Sequence, residues 1–103
     1  MDVLWVTTHA AALVHRLTKH LSKKDKDQPN RAAESMALNT AEGLGYSGAM
    51  ERKHLDIAYA SCQEAKTSVH LLAITDQVDL EAARNAYRWL HRAGGMLYGV
   101  LRK

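Results

Sequence analysis

Apolar side chains return at every third or fourth position through most of this sequence, and that spacing leaves few folds open. Leu55, Ala58, Cys62, Ala65, Val69 and Leu72 alternate three and four apart, a heptad-like seam. Leu80, Ala83, Tyr87, Leu90, Gly94, Leu97 and Leu101 repeat it further along. An earlier segment carries Val6, Ala10, Leu13, Leu17 and Leu21, and the next carries Ala33, Met36 or Ala37, Thr40 and Leu44. A helix with 3.6 residues per turn gathers such positions on one face. A strand needs strict alternation, and no such run occurs. Four one-sided rods must bury their faces against each other. The pattern therefore predicts an all-α, antiparallel, up-down-up-down four-helix bundle in one domain. The helices are expected at about 3–23, 29–44, 48–75 and 79–102.

Local signals set those limits. The polar run from Ser22 to Gln28, closed by Pro29, reads as a loop with the proline at a helix start. Gly43, Gly45 and Gly48 break the second helix, and Asp79 is a suitable N-cap for the fourth.

Composition excludes several classes. The chain has 103 residues, room for one small core. Cys62 is the only cysteine, so an internal disulfide is impossible and a reducing, cytoplasmic setting is expected. No run approaches the ~20 apolar residues of a membrane helix. The first residues hold Asp2 and no leading basic cluster, so no signal peptide is expected. The net charge of +3 is a mild bias towards anionic partners.

Catalytic and metal motifs are missing. Glu51 and His54 have the Glu-x-x-His spacing of di-iron bundles, but no second copy exists. The six histidines include no i,i+4 pair for a zinc site. No nucleophile elbow or dinucleotide fingerprint occurs, and the glycines at 43–48 lack a P-loop lysine. Cys62, on the helix-three seam, reads as a small buried apolar group. No catalysis, cofactor or metal is expected.

The basic residues are more informative. Arg84, Arg88 and Arg92 recur every four residues, and Arg16, Lys19, Lys23, Lys24 and Lys26 crowd the end of helix one. An antiparallel bundle puts the end of helix one and the start of helix four at the same pole. There Lys19, Lys23, Lys24, Arg31, Arg84 and Arg88 would make one basic surface, suited to phosphate backbones. Asp25, Asp27, Asp76, Asp79 and Glu81 dilute it, so a plain solvated face is the competing reading. No stacking aromatics interleave with these charges, which favours backbone contacts over base readout.

Helix four has a second stripe. Ala82, Ala86, Trp89, Ala93, Met96 and Val100 also recur at four and three. The stripe is either a broad shoulder of the core or a contact with a second chain. The size of Trp89 favours the contact, so Ala82, Ala86, Trp89, Ala93 and Met96 are expected at an oligomer interface.

Three blocks carry a family resemblance. Arg31-Ala32-Ala33-Glu34-Ser35-Met36-Ala37-Leu38-Asn39-Thr40-Ala41-Glu42-Gly43 resembles the signature RAA-x-S-hydrophobic-x-x-N-hydrophobic-AEG. His54 to Glu64 and Gly95 to Leu101 resemble its second and closing blocks. The family is that of four-helix-bundle proteins encoded in 23S ribosomal RNA intervening sequences. It is similar to the accessory variability proteins of diversity-generating retroelements. The likeness covers about 31–101, and helix one matches only as an amphipathic helix. The link into helix two is shorter and more charged than the family pattern. The resemblance implies a ring-shaped homo-oligomer, with pentamers typical. For the retroelement relatives it implies a basic surface for RNA or DNA and a reverse transcriptase partner.

The polar residues of the signature are Asn39, Glu42, Ser61 and Glu64, each pair three apart on one helix face. They read as a network that sets helix register or tethers the Gly43 turn, with a carboxylate site as the alternative. The functional expectation is a non-catalytic homo-oligomer that binds nucleic-acid backbone through its basic pole. The alternative is an oligomeric protein-interaction scaffold without nucleic acid.

Overall fold

Four helices and no strand make up residues 2–102, the part of the chain that the computed structural model describes. They are α1 (Val3–Thr18), α2 (Lys23–Leu44), α3 (Ala49–Ile74) and α4 (Leu80–Leu101). Each packs on its two neighbours in chain order, and α1 closes on α4. Their direction follows from the partners. Ser35 meets Ser61 while Asn39 meets His54, and Arg52 meets Leu101 while Cys62 meets Leu90. Numbers rise on one helix as they fall on the next. His20 at the end of α1 reaches Gln77, ahead of α4, while His9 touches Trp89. All three comparisons are those of antiparallel neighbours, so this is an up-down-up-down bundle.

Side-chain caps start three of the helices. Asp2 accepts from the Trp5 amide at 2.7 Å, Ser22 from Asp25 at 3.3 Å and Asp79 from Ala82 at 2.9 Å. Each satisfies one of the first-turn donors that no intrahelical carbonyl can reach. Gly48 precedes α3 with a φ of 65°, where a side chain would be strained.

The first link differs from the sequence reading. α1 stops at Thr18 rather than near residue 23, and α2 begins at Lys23 rather than Pro29. Most of the expected loop is the first two turns of α2. Ser22 is the true N-cap, and its hydroxyl also donates to the Asp25 carboxylate at 3.1 Å. Lys23 pairs with Asp27 one turn on, at 3.3 Å. Pro29 is buried inside the helix instead of opening it. Its absent N–H frees only the Asp25 carbonyl, close to the helix start. Asn30 ties the segment down by donating to the Lys26 carbonyl and the Thr18 hydroxyl, both at 2.8 Å.

The core is built from small side chains. Ala10, Ala33, Ala58, Ala65, Ala86 and Ala93 are buried, and Met36, Leu55, Leu90 and Leu97 are the largest residues fully enclosed. With no Phe in the chain, the rods approach closely. Every member of the predicted α3 seam is buried, from Leu55 to Leu72. Buried hydroxyls turn back on their own helices. Thr18 donates to the Val14 carbonyl at 2.9 Å and Thr40 to the Met36 carbonyl at 2.7 Å. Among the described residues no buried side-chain polar atom lacks a partner.

Candidate nucleic-acid interface

The face built by α1 and α4 carries almost no negative charge. Between Val3 and Lys24 there is no Asp or Glu, and beyond Glu81 none occurs on α4. The same helices present Arg16, Arg84, Arg88 and Arg92, with Lys19 capping α1. By contrast α2 and α3 each mix both signs, with Asp25, Asp27, Glu34 and Glu42 on one and Glu51, Asp56 and Glu64 on the other.

All eight predicted basic residues are exposed. Lys19, Lys23 and Lys24 surround the α1–α2 link. The 3.2 Å contact between His20 Nε2 and the Gln77 carbonyl brings that link beside the start of α4. Arg84, Arg88 and Arg92 then climb α4, spanning ~12 Å at 1.5 Å per residue. Arg16 lies two turns from His9 on one side of α1, the side that meets Trp89. These cations make a band along α1 and α4 rather than a spot at one pole. Arg31 stands apart, two turns up α2. Two of the eight are in ion pairs. Lys23 pairs with Asp27, and Arg84 pairs with Glu81 at 3.1 Å. Both pairs are surface contacts, worth about 0–1 kcal/mol and open to competition from phosphate. Arg16, Lys19, Lys24, Arg31, Arg88 and Arg92 are in no ion pair among the described residues.

The fold also brings aromatics to this band, which contradicts the reading that none interleave with the charges. Trp5 stacks on His9 with ring centroids 4.8 Å apart and planes at 14°. His9 meets Trp89 edge-on at 4.4 Å, and the Arg92 guanidinium lies 5.4 Å over the Trp89 ring. Trp5 and Trp89 are 84 positions apart in the sequence, so no spacing rule links them.

The second stripe of α4 is not an outer face. Ala86 and Ala93 are 1% and 0% exposed within the chain itself, and Trp89, Met96 and Val100 pack against the same core. Only Ala82 is open. The expected oligomer interface at Ala82, Ala86, Trp89, Ala93 and Met96 is thus the shoulder of the core. The reason is that α4 has two neighbours, with one seam facing α3 and the other facing α1. The exposed apolar surface lies elsewhere. Between α3 and α4 an open groove of about 550 Å³ is lined by Val69, Ala73, Ile74, Leu80, Ala83 and Tyr87. Its rim carries His70, Arg84 and Arg88. Ile74 and Leu80 are 64% and 52% exposed.

Two of the four signature polar residues tie α2 to α3. Asn39 donates to the Ser35 carbonyl at 2.9 Å and hydroxyl at 3.2 Å, and Ser35 bonds Ser61 at 2.8 Å. The Asn39 carbonyl oxygen accepts from His54 Nδ1 at 3.0 Å, and Tyr46 stacks on a face of the imidazole with ring centroids 5.5 Å apart. Glu42 and Glu64 are exposed and outside this chain of bonds. Ser35 and His54 replace them. Both lie within the quoted blocks, but the three-residue spacing pointed to the carboxylates instead.

Cys62 is fully buried and donates to the Leu90 carbonyl at 3.1 Å. Burial pushes its thiol up to about 11, against smaller opposing effects from Lys66 and a Gly94 backbone hydrogen bond. The thiolate is the reactive form, so this sulfur is inert at neutral pH. Among the described residues no three His, Cys, Asp or Glu side chains converge on one point. No described helix is long and apolar enough to cross a membrane.

No curated protein matches the chain. Residues 2–99 match the family described as 23S rRNA-intervening sequence protein. The match extends over α1, beyond the three blocks that first suggested it. The chain belongs to the family of 23S rRNA-intervening sequence proteins.

Proposed function

We propose that this protein is a non-catalytic, self-associating helical bundle that binds nucleic-acid backbone along its α1–α4 face in a cytoplasmic setting. The observation that carries this reading is the scarcity of carboxylates on that face, where Asp2, Asp79 and Glu81 stand only at the helix starts. Four cations, Arg16, Lys19, Arg88 and Arg92, stand there without an acidic partner. Clustered charge of this kind releases counterions from a phosphate chain and needs no special geometry. Copies arranged in a ring would multiply the band. The exposed Ile74 and Leu80 of the α3–α4 groove support contact between copies, since aliphatic surface of that kind favours association. Filter binding to unrelated RNA and DNA tests the proposal. Binding at low salt should be indifferent to sequence and should weaken by roughly 0.9 log units per log unit of salt for each phosphate contact on duplex DNA. No binding at low salt overturns it.

The same groove favours a second reading, a scaffold for a different protein, such as the reverse transcriptase that the resemblance implies. Under that reading a partner recovered by pull-down survives nuclease treatment, and charge removal from Arg16 and Arg92 leaves its recovery unchanged.

A further inference from the structure

We infer that Trp5, with His9, Trp89 and Arg92 behind it, is a stacking site for an unpaired nucleobase, so the preferred ligand is a single strand. This rests on the reading of the α1–α4 face as a phosphate-binding surface.

The chain has two tryptophans and no Phe, and the fold puts both tryptophans in one cluster. Trp89 packs against the core, but Trp5 is not part of it. Val3, Val6 and Ala10 are buried on the inner side of α1 and already supply its apolar seam. Trp5 makes ring contacts there all the same. Its ring lies nearly parallel to His9, tilts against Trp89 at 6.0 Å, and its amide is fixed by the Asp2 cap. Yet it remains 47% exposed. A large, flat ring braced by two neighbouring rings and half open to solvent is a surface on which a base stacks.

The charges around the ring suit the rest of a nucleotide. Arg92 is anchored over Trp89 and keeps its guanidinium close to the cluster. Arg88 follows Arg92 one turn away on α4, and Arg16 lies 11 residues, about 16 Å, along α1 from Trp5, so a strand leaving the stacked base runs towards further cations. The nearby carboxylate, Asp2, is occupied as the α1 N-cap. Paired bases in a duplex hide their faces in the helical stack and cannot use Trp5. Any base has a π-face, so the site discriminates strand state rather than sequence.

Tryptophan fluorescence reports directly, since both indoles sit at the site. The probes are an oligoadenylate strand, an abasic strand of equal length and a duplex, titrated at low salt. The oligoadenylate should quench the emission and bind about five- to a hundredfold more tightly than the abasic strand. Trp5→Leu should remove that preference while the affinity for the abasic strand and its salt dependence stay unchanged. Trp5→Tyr, which keeps a stacking ring, should retain most of the preference. Circular dichroism checks that each variant folds, and Arg92→Gln supplies an independent probe if Trp5→Leu does not. It should weaken abasic-strand binding and cut the quenching together. Equal affinity for oligoadenylate and abasic strands overturns the stacking site and leaves the phosphate-binding face standing. Tighter binding of the duplex does the same. Failure of all three probes to bind overturns both.

Discussion

Gly43 of α2 lies against Leu55 of α3 so closely that a β-carbon on the glycine would fall 2.9 Å from both Cγ and Cδ2 of the leucine. Leu55 is itself buried, and the same β-carbon would lie 3.4 Å from the Glu51 carbonyl oxygen. The two helices therefore meet where one of them has no side chain. Gly43→Ala should lower unfolding free energy by about 1–3 kcal/mol from overpacking, less up to ~1 kcal/mol regained in helix propensity. Urea denaturation measures the difference. Combined with Leu55→Ala, the loss should be smaller than the two single losses added together, a coupling energy that a double-mutant cycle resolves.

The hydrogen-bonded chain through Ser35 predicts non-additive losses. Ser61→Ala removes the partner of a Ser35 hydroxyl that also accepts from Asn39. It should cost roughly 1 kcal/mol, and Asn39→Ala somewhat more because it strands His54 Nδ1 as well. The Ser35→Ala, Ser61→Ala double variant should cost less than the sum of the singles, since each single leaves an orphaned hydroxyl. Shifts in the urea midpoint at constant slope check this.

Cys62 gives a pH-dependent readout. Its folded thiol is raised to about 11 by burial, so the unfolded chain loses its proton first. Stability contributed by the neutral thiol is complete below the unfolded value and should decline as pH rises from the ordinary thiol range towards about 11. At about pH 8 the thiolate fraction should be on the order of a hundredfold below that of a free cysteine. Alkylation followed by mass spectrometry should be slow in the native protein and rapid in urea. Fast labelling of the folded chain would show that the α3–α4 seam opens readily.

The α3–α4 groove predicts the outcome of a charge inserted into its exposed apolar lining. Leu80→Glu and Ile74→Glu replace exposed side chains, so neither should reduce stability by more than about 0.5 kcal/mol. Sedimentation should show the self-associated species shifting to monomer in both. If assembly is unchanged, copies meet through another surface.

Periodicity exposed the inward faces of this bundle because burial is what periodicity encodes. All six residues of the α3 seam are enclosed, and Asp79 caps α4 as its chemistry demands. The same signal could not say who covers a face. The Ala86, Ala93 and Met96 stripe is equally regular whether α1 or another chain lies against it. Pro29 misled in another way. A proline in an early turn leaves few helical hydrogen bonds broken, so it looks like a boundary without being one. Contacts between distant segments were beyond reach. Trp5 and Trp89 meet only through the closure of α1 on α4, and His54 finds Asn39 only across the α2–α3 hairpin.

The first and last helices of the chain share a face, so the carboxylate-poor band has no existence in any contiguous stretch of sequence. Nearly the whole polypeptide must be in place before Arg16 and Arg92 share a surface. A truncated, nicked or half-formed copy lacks the assembled band, and occupancy of that band by a polyanion favours the completed molecule over every partial one. Affinity for the ligand and integrity of the bundle should therefore rise and fall together.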